Sequence, residues 1–264
     1  MEIIDAHAHI YPDKIAEKAS IAIGNFYGIP MEYVGTTSKL LEEGKKAGIS
    51  RFLVHSVATT PHQVHSINTF ILDELNKHSE FIGFITLHPD LTEEEIKDEI
   101  DFAIKNGFKG IKLHPDFQKF YIDDPNLDKI YKNACGKLPI LFHMGDKRYD
   151  YSSQERLVRV ANKYKDLKCI AAHFGGYSVW GGAREYANLK YDNVYFDTSS
   201  SLYFLEPYKA IQLIKQFGAD KFFFGTDYPM WDAKEELDRF FALGLSEEEN
   251  ELILSKNLKK LLNL

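Results

Sequence analysis

The sequence predicts an α/β protein, a (β/α)8 TIM barrel in a single domain spanning residues 1–264. Three observations carry that expectation. Eight short apolar runs with strand character recur along the chain, and most are followed by a charged stretch of helical periodicity. Strands joined by crossover helices make a parallel sheet, and eight such units close into a barrel of about 250 residues. Metal-competent side chains fall at the C-terminal ends of these runs, the face on which barrel enzymes build their sites. A doubly wound open sheet is the alternative. It more often carries a glycine-rich phosphate loop after its first strand, where this chain has His-Ala-His.

The first strand, residues 3–10, ends in His7 and His9. Side chains alternate across a strand, so the two imidazoles share one side a pleat apart. They can bind one transition metal if other strands bring further ligands to the same point. Alone, the pattern fits a strand with two chance histidines equally well. A loop and a helix through residue 29 follow, then a helix over 38–47 closed by Gly48. The second strand is 51–58, with an amphipathic helix over 63–78 behind it. The third is 81–87. Thr92 then opens a helix with Glu93, Glu94 and Glu95 in its first turn, where the helix dipole favours acid. Asn106-Gly107 stops it.

The fourth strand, 110–113, runs into His114-Pro115, and its helix covers 126–135. Residues 138–143 form the fifth strand and 153–164 its helix. The sixth, 169–173, leads into Gly175-Gly176. The seventh is 194–197, with a helix over 207–217. The eighth, 222–225, ends in Thr226-Asp227, and two helices that begin with acidic residues finish the chain.

Composition limits the function classes. A hydrophobic fraction of 44% and a charged fraction of 27% are those of an ordinary soluble protein. A net charge of -7 argues against a basic face for nucleic acid, though a local Lys or Arg can still hold an anionic small molecule. No apolar run approaches the ~18 residues that span a bilayer. No signal peptide is visible, and two isolated cysteines, Cys135 and Cys169, favour a reducing cytoplasm.

Eight of the ten histidines lie at a predicted strand end or in the turn after it: His7, His9, His55, His62, His88, His114, His143 and His173. Asp227 joins them after Phe-Phe-Phe-Gly-Thr, where a carboxylate needs a cation or a hydrogen-bond network. His143 and His173 end apolar strands in the same way. A core histidine satisfied by backbone explains any one of these residues, but explains the set poorly. Lys112 and His114 share a face of the fourth strand, and either can enter the site. His88 and His114 both stand in Leu-His-Pro, which also reads as a strand-exit turn. His55 reads as packing or support rather than as a ligand.

The opening Asp-Ala-His7-Ala-His9, with His143, His173 and Gly-Thr-Asp227-Tyr-Pro, resembles the amidohydrolase superfamily. The closer resemblance is to amidohydrolase family 2, a branch of small metal-dependent hydrolases and decarboxylases, over essentially the whole chain. It implies a slightly distorted TIM barrel. It implies that His7, His9, His143 and Asp227 hold a divalent metal, Zn²⁺ or another transition ion, one ion rather than two. Asp227 and His173 are then the catalytic groups. His173, Lys112 and His114 are the candidates for a second metal or for substrate, and a homodimer is the implied assembly.

The expected reaction is hydrolysis of an ester, lactone or amide of a small polar or anionic organic molecule. Asp227 moves the proton and His173 stabilises the oxyanion. Non-oxidative decarboxylation of a small carboxylic acid uses the same ligands and is the first alternative. A metal-stabilised barrel without catalysis is the second. Substrate selection falls to the loops after the strands, with Tyr11, Lys147, Arg148, Tyr177 and Trp180 as the candidate contacts.

Overall fold

Eight parallel strands follow one another in chain order: β1 (Ile4–His9), β2 (Arg51–His55), β3 (Phe81–Thr86), β4 (Gly110–Leu113), β5 (Ile140–Phe142), β6 (Cys169–Ala171), β7 (Val194–Asp197) and β8 (Phe222–Phe223). With helices between them, this is the strand order and alternation of the (β/α)8 barrel that the sequence predicts. The computed structural model describes residues 1–180 and 190–264. Contacts group them into two compact units. The first is Met1–His55, Glu74–Ile82 and Thr198–Leu264, and the second is Ser56–Asp73 and Gly83–Asp197.

In the first unit, β1 lies in parallel register on β2, with Ile4 beside Arg51 and His9 beside His55. The register slips by one residue between Asp5 and Ala8, a bulge of the kind that re-aims side chains near active sites. The helix Thr37–Ala47 is capped by the Thr36 hydroxyl and ends on Gly48 in the left-handed region, as its sequence requires. Its Gly44 lies so close to β2 that a Cβ there would stand 2.1 Å from the Phe52 ring. The chain after β8 continues beside β1: the Ala6 amide donates to the Phe224 carbonyl at 2.8 Å, and His9 donates to Tyr228 at 2.7 Å.

In the second unit, β3 to β7 pair in sequence, and the helix Glu93–Lys105 packs behind them with the Thr92–Glu95 capping box at its start. Cys169 is buried, and burial pushes its thiol up to about 12, so it packs as a small apolar residue.

Several strands are shorter than expected. β2 ends at His55 rather than residue 58, β5 and β6 stop at Phe142 and Ala171, and β8 has two residues. In β5, β6 and β8 the regular strand stops before the polar residue that follows the apolar run: His143 and Asp227 keep one backbone bond, to the Leu113 and His7 carbonyls at 3.0 and 2.9 Å, and His173 and Asp227 turn away with positive φ. A short helix, Pro115–Gln118, replaces the expected loop after β4. Pro115 opens it and the His114 ring caps it, accepting the Phe117 amide on Nδ1. Gln118 is buried because it ties strand exits together, donating to the carbonyls of Ala58 and Leu87 and accepting the His114 amide.

Candidate metal and catalytic site

The first unit brings His7, His9 and Asp227 together. His7 Nε2 and His9 Nε2 stand 3.4 and 3.5 Å from Asp227 Oδ1. Backbone pairing sets this up, since the Asp227 amide donates to the His7 carbonyl at 2.9 Å. Gly225 permits the approach: a Cβ there would lie 3.0 Å from that of His7 and 3.3 Å from that of Ser199. Asp227 takes φ +63, a left-handed conformation that aspartate tolerates better than most residues and that recurs at functional sites.

The supporting contacts come from the first strand, the Gly-Thr-Asp turn and its following Trp231, and the serines Ser199 and Ser200. Asp5, fully buried, accepts the amides of His7 and Thr226 at 3.0 Å each and the Thr226 hydroxyl at 2.6 Å. It locks the first strand to the Gly-Thr-Asp turn. His7 Nδ1 meets the Ser199 hydroxyl at 3.0 Å, which fixes the ring and leaves Nε2 facing Asp227. Asp227 Oδ2 accepts the Ser200 hydroxyl at 2.5 Å, and Trp231 Nε1 donates to the same hydroxyl oxygen at 2.8 Å. The Tyr11 phenol is raised well above its usual range, first by burial and then by the Asp227 carboxylate.

The second unit gathers His114, Asp116, His143 and His173. The His114 ring lies between Phe117 and His143, stacked at 3.8 and 4.0 Å. His143 Nδ1 is 3.0 Å from His173 Nε2, and His143 Nε2 is 3.4 Å from Asp116 Oδ2. Asp116 accepts the Ser152 hydroxyl on Oδ2, and burial raises its carboxyl to about 7. His173 is held by its own backbone: its amide donates to Asp197 Oδ1 at 2.9 Å, and its carbonyl accepts Trp180 Nε1 at 2.8 Å. His173 and Phe174 both have positive φ, which turns the chain sharply after β6.

A family comparison decides what these residues belong to. A family model described as amidohydrolase matches residues 4–264, nearly the whole chain. The chain belongs to the amidohydrolase family. It is therefore a member of a family of metal-dependent enzymes. No curated protein matches its sequence. Solved structures of the same fold include an uncharacterised TIM-barrel protein from Bordetella bronchiseptica, 20% identical with TM-score 0.81, covering 100% of this chain and 99% of that one. A 5-carboxyvanillate decarboxylase from Novosphingobium aromaticivorans, solved with manganese, is 17% identical with TM-score 0.79, covering 100% and 96%. A Pseudomonas putida protein assigned as a 2-pyrone-4,6-dicarboxylic acid hydrolase is 17% identical with TM-score 0.71, covering 99% and 97%. At such identities the likeness establishes the barrel.

The amidohydrolase residues fit a divalent cation. Ligands about 2.1 Å from a tetrahedral ion stand about 3.4 Å from one another. Each imidazole nitrogen has that separation from Asp227 Oδ1, longer than an ordinary hydrogen bond and right for an edge of a coordination shell. His7, His9 and His55 form one group of neighbouring ligand atoms, and His114, Asp116 and His143 form another.

The remaining expected residues divide. Lys112 is fully buried on β4 rather than pointing outward. His88, like His114, accepts a downstream amide on Nδ1, from Asp90 at 3.2 Å, so Leu-His-Pro is indeed a strand-exit turn. Arg148 is engaged with Asp146, its Nε and Nη2 donating to both carboxylate oxygens at 2.6–3.1 Å. A substrate anion would have to compete with that pair. Lys147 is exposed, whereas Tyr177 is buried with its ring 5.7 Å from His173 and 6.3 Å from Trp180. No site role is legible in the sequence for Asp5, Asp197, Ser199 and Ser200, and Asp116 stands there only as part of the loop after His114. Asp5 alone carried a signal, a carboxylate inside an apolar strand; the others become visible only through contacts distant in sequence.

Proposed function

We propose that the protein is a metal-dependent hydrolase that cleaves an ester, lactone or amide bond of a small polar or anionic organic substrate. The observation that carries the metal-dependent part of this reading is the spacing of His7 Nε2 and His9 Nε2 from Asp227 Oδ1. One Zn²⁺ per chain is the expected ion, because imidazole and carboxylate donors suit it, with His143 as the further ligand implied by the resemblance. Such an ion supplies Lewis acidity, making water ionisable near neutral pH and polarising a substrate oxygen. Asp227 accepts the proton of the attacking water and delivers it to the leaving group, its carboxylate held in plane by Ser200. His173 stabilises the developing oxyanion. Tyr11, Lys147, Tyr177 and Trp180 select the substrate, whereas Arg148 mainly holds the loop through Asp146.

Non-oxidative decarboxylation of an aromatic or unsaturated acid is the second reading. It is favoured by solved structures of the same fold that carry decarboxylase names. Two isolated free thiols support a cytoplasmic setting, and a homodimer is the expected assembly. No helix among the described residues is long and apolar enough to cross a membrane.

The test is elemental analysis of protein purified without added metal, followed by a panel of lactones, esters, amides and aromatic carboxylates. We expect about one zinc per chain and an acid product whose formation stops on chelation. Release of CO₂ would replace hydrolysis by decarboxylation, and turnover insensitive to metal removal would end both readings.

A further inference from the structure

We propose that His55 is a ligand of the cation held by His7, His9 and Asp227, which makes the donor set of the first unit richer in nitrogen than the family resemblance implies. This rests on the reading of that site as a metal site. His9 and His55 are paired residues of adjacent parallel strands, so their side chains leave the sheet on the same face. The bulge between Asp5 and Ala8 displaces β1 by one residue there, and the Ile10 amide, donating to the His55 carbonyl at 3.1 Å, pins the end of β2 beside it.

The rings follow the backbone. The His55 centroid is 4.4 Å from that of His9 and 4.9 Å from that of His7, with His7 and His9 5.3 Å apart. One nitrogen from each of the three rings lies within 4.8 Å of the other two. Donors around a single ion stand about 3.4 Å apart when tetrahedral, so modest side-chain rotation brings His55 into the shell. His55 is also fully buried at the end of β2, on the same side of the sheet as His9. A first-unit donor set of imidazoles with one carboxylate favours Zn²⁺ or Co²⁺ over Mg²⁺, whose preferred donors are oxygens, whether or not His143 adds a further nitrogen.

The test uses the full chain loaded with Co²⁺ or Zn²⁺. In competition with a chromophoric chelator, His55→Gln should weaken Zn²⁺ by about a hundredfold, at least as much as loss of a supporting contact does. Its Co²⁺ form should show a changed visible absorption band. In His143→Ala saturated with Co²⁺, proton NMR should show three shifted exchangeable imidazole N–H resonances, from His7, His9 and His55. That measurement keeps His55 native and is informative even if the glutamine variant folds poorly. Unchanged zinc affinity and an unchanged cobalt band in folded His55→Gln, or only two shifted resonances in His143→Ala, would reduce His55 to a packing residue. Failure of the native protein to bind Zn²⁺ or Co²⁺ would instead refute the metal site itself.

Discussion

The two histidine clusters of this chain are built on opposite principles. In the first unit, His7 and His9 each stand 3.4–3.5 Å from Asp227, longer than an ordinary hydrogen bond, while Ser199 holds His7 and Ser200 holds Asp227 from behind. In the second, His143 and His173 meet at 3.0 Å and His114 stacks on His143 at 4.0 Å, so the imidazoles partly satisfy one another. The wider spacing suits a cation, and it recurs in the second cluster between His143 Nε2 and Asp116 Oδ2 at 3.4 Å. The difference teaches that counting histidines at strand ends locates a candidate site, whereas the distances between them separate groups in contact from groups held apart.

The largest expected effect comes from Asp227, the group proposed for both the metal shell and the proton path. Asp227→Asn should lower turnover by about 10³-fold or more. The fold should persist, since asparagine also accepts positive φ and keeps the Ser200 hydrogen bond through its carbonyl. Substantial residual activity in folded protein would contradict the proton-transfer role. A smaller effect is expected at His143→Ala. It should lower bound metal measurably, by about tenfold, because His143 also has His173 and Asp116 as partners. Unchanged metal content would remove it from the ligand set and leave the second cluster metal-free.

The third prediction concerns stability around the first cluster. Glu236, fully buried on the helix Ala233–Phe241, has its carboxyl raised to about 7, first by burial and further by the Asp227 and Asp5 carboxylates, against the opposing Arg239. The native state therefore retains a proton that the unfolded chain loses near its ordinary value of 4.5. Stability from this group is fully present below about 4.5 and declines as pH rises toward about 7, by on the order of 3 kcal/mol. Glu236→Gln should flatten this dependence in denaturant titrations between pH 5 and 8. A slope identical to that of the native protein would show that Glu236 is charged throughout.

Periodicity alone placed the eight strands and most helices, because an apolar run followed by an amphipathic stretch has one stable use in a chain of this length. The same reading put His7, His9, His143, His173 and Asp227 at strand exits, since residue order along a strand fixes which side chains reach its end. What it could not supply was partnership. Asp5 locking Thr226, Ser200 holding Asp227, Asp197 gripping the His173 amide and Arg148 turning to Asp146 are all contacts of folded side chains and backbone. His55 makes the point most directly. By sequence it reads as a packing residue at the end of β2; parallel register with His9 and a one-residue bulge put it among the metal-competent nitrogens. Local pattern is encoded in neighbouring residues and so survives in the linear chain, whereas distances between strand ends exist only after the sheet has set its register.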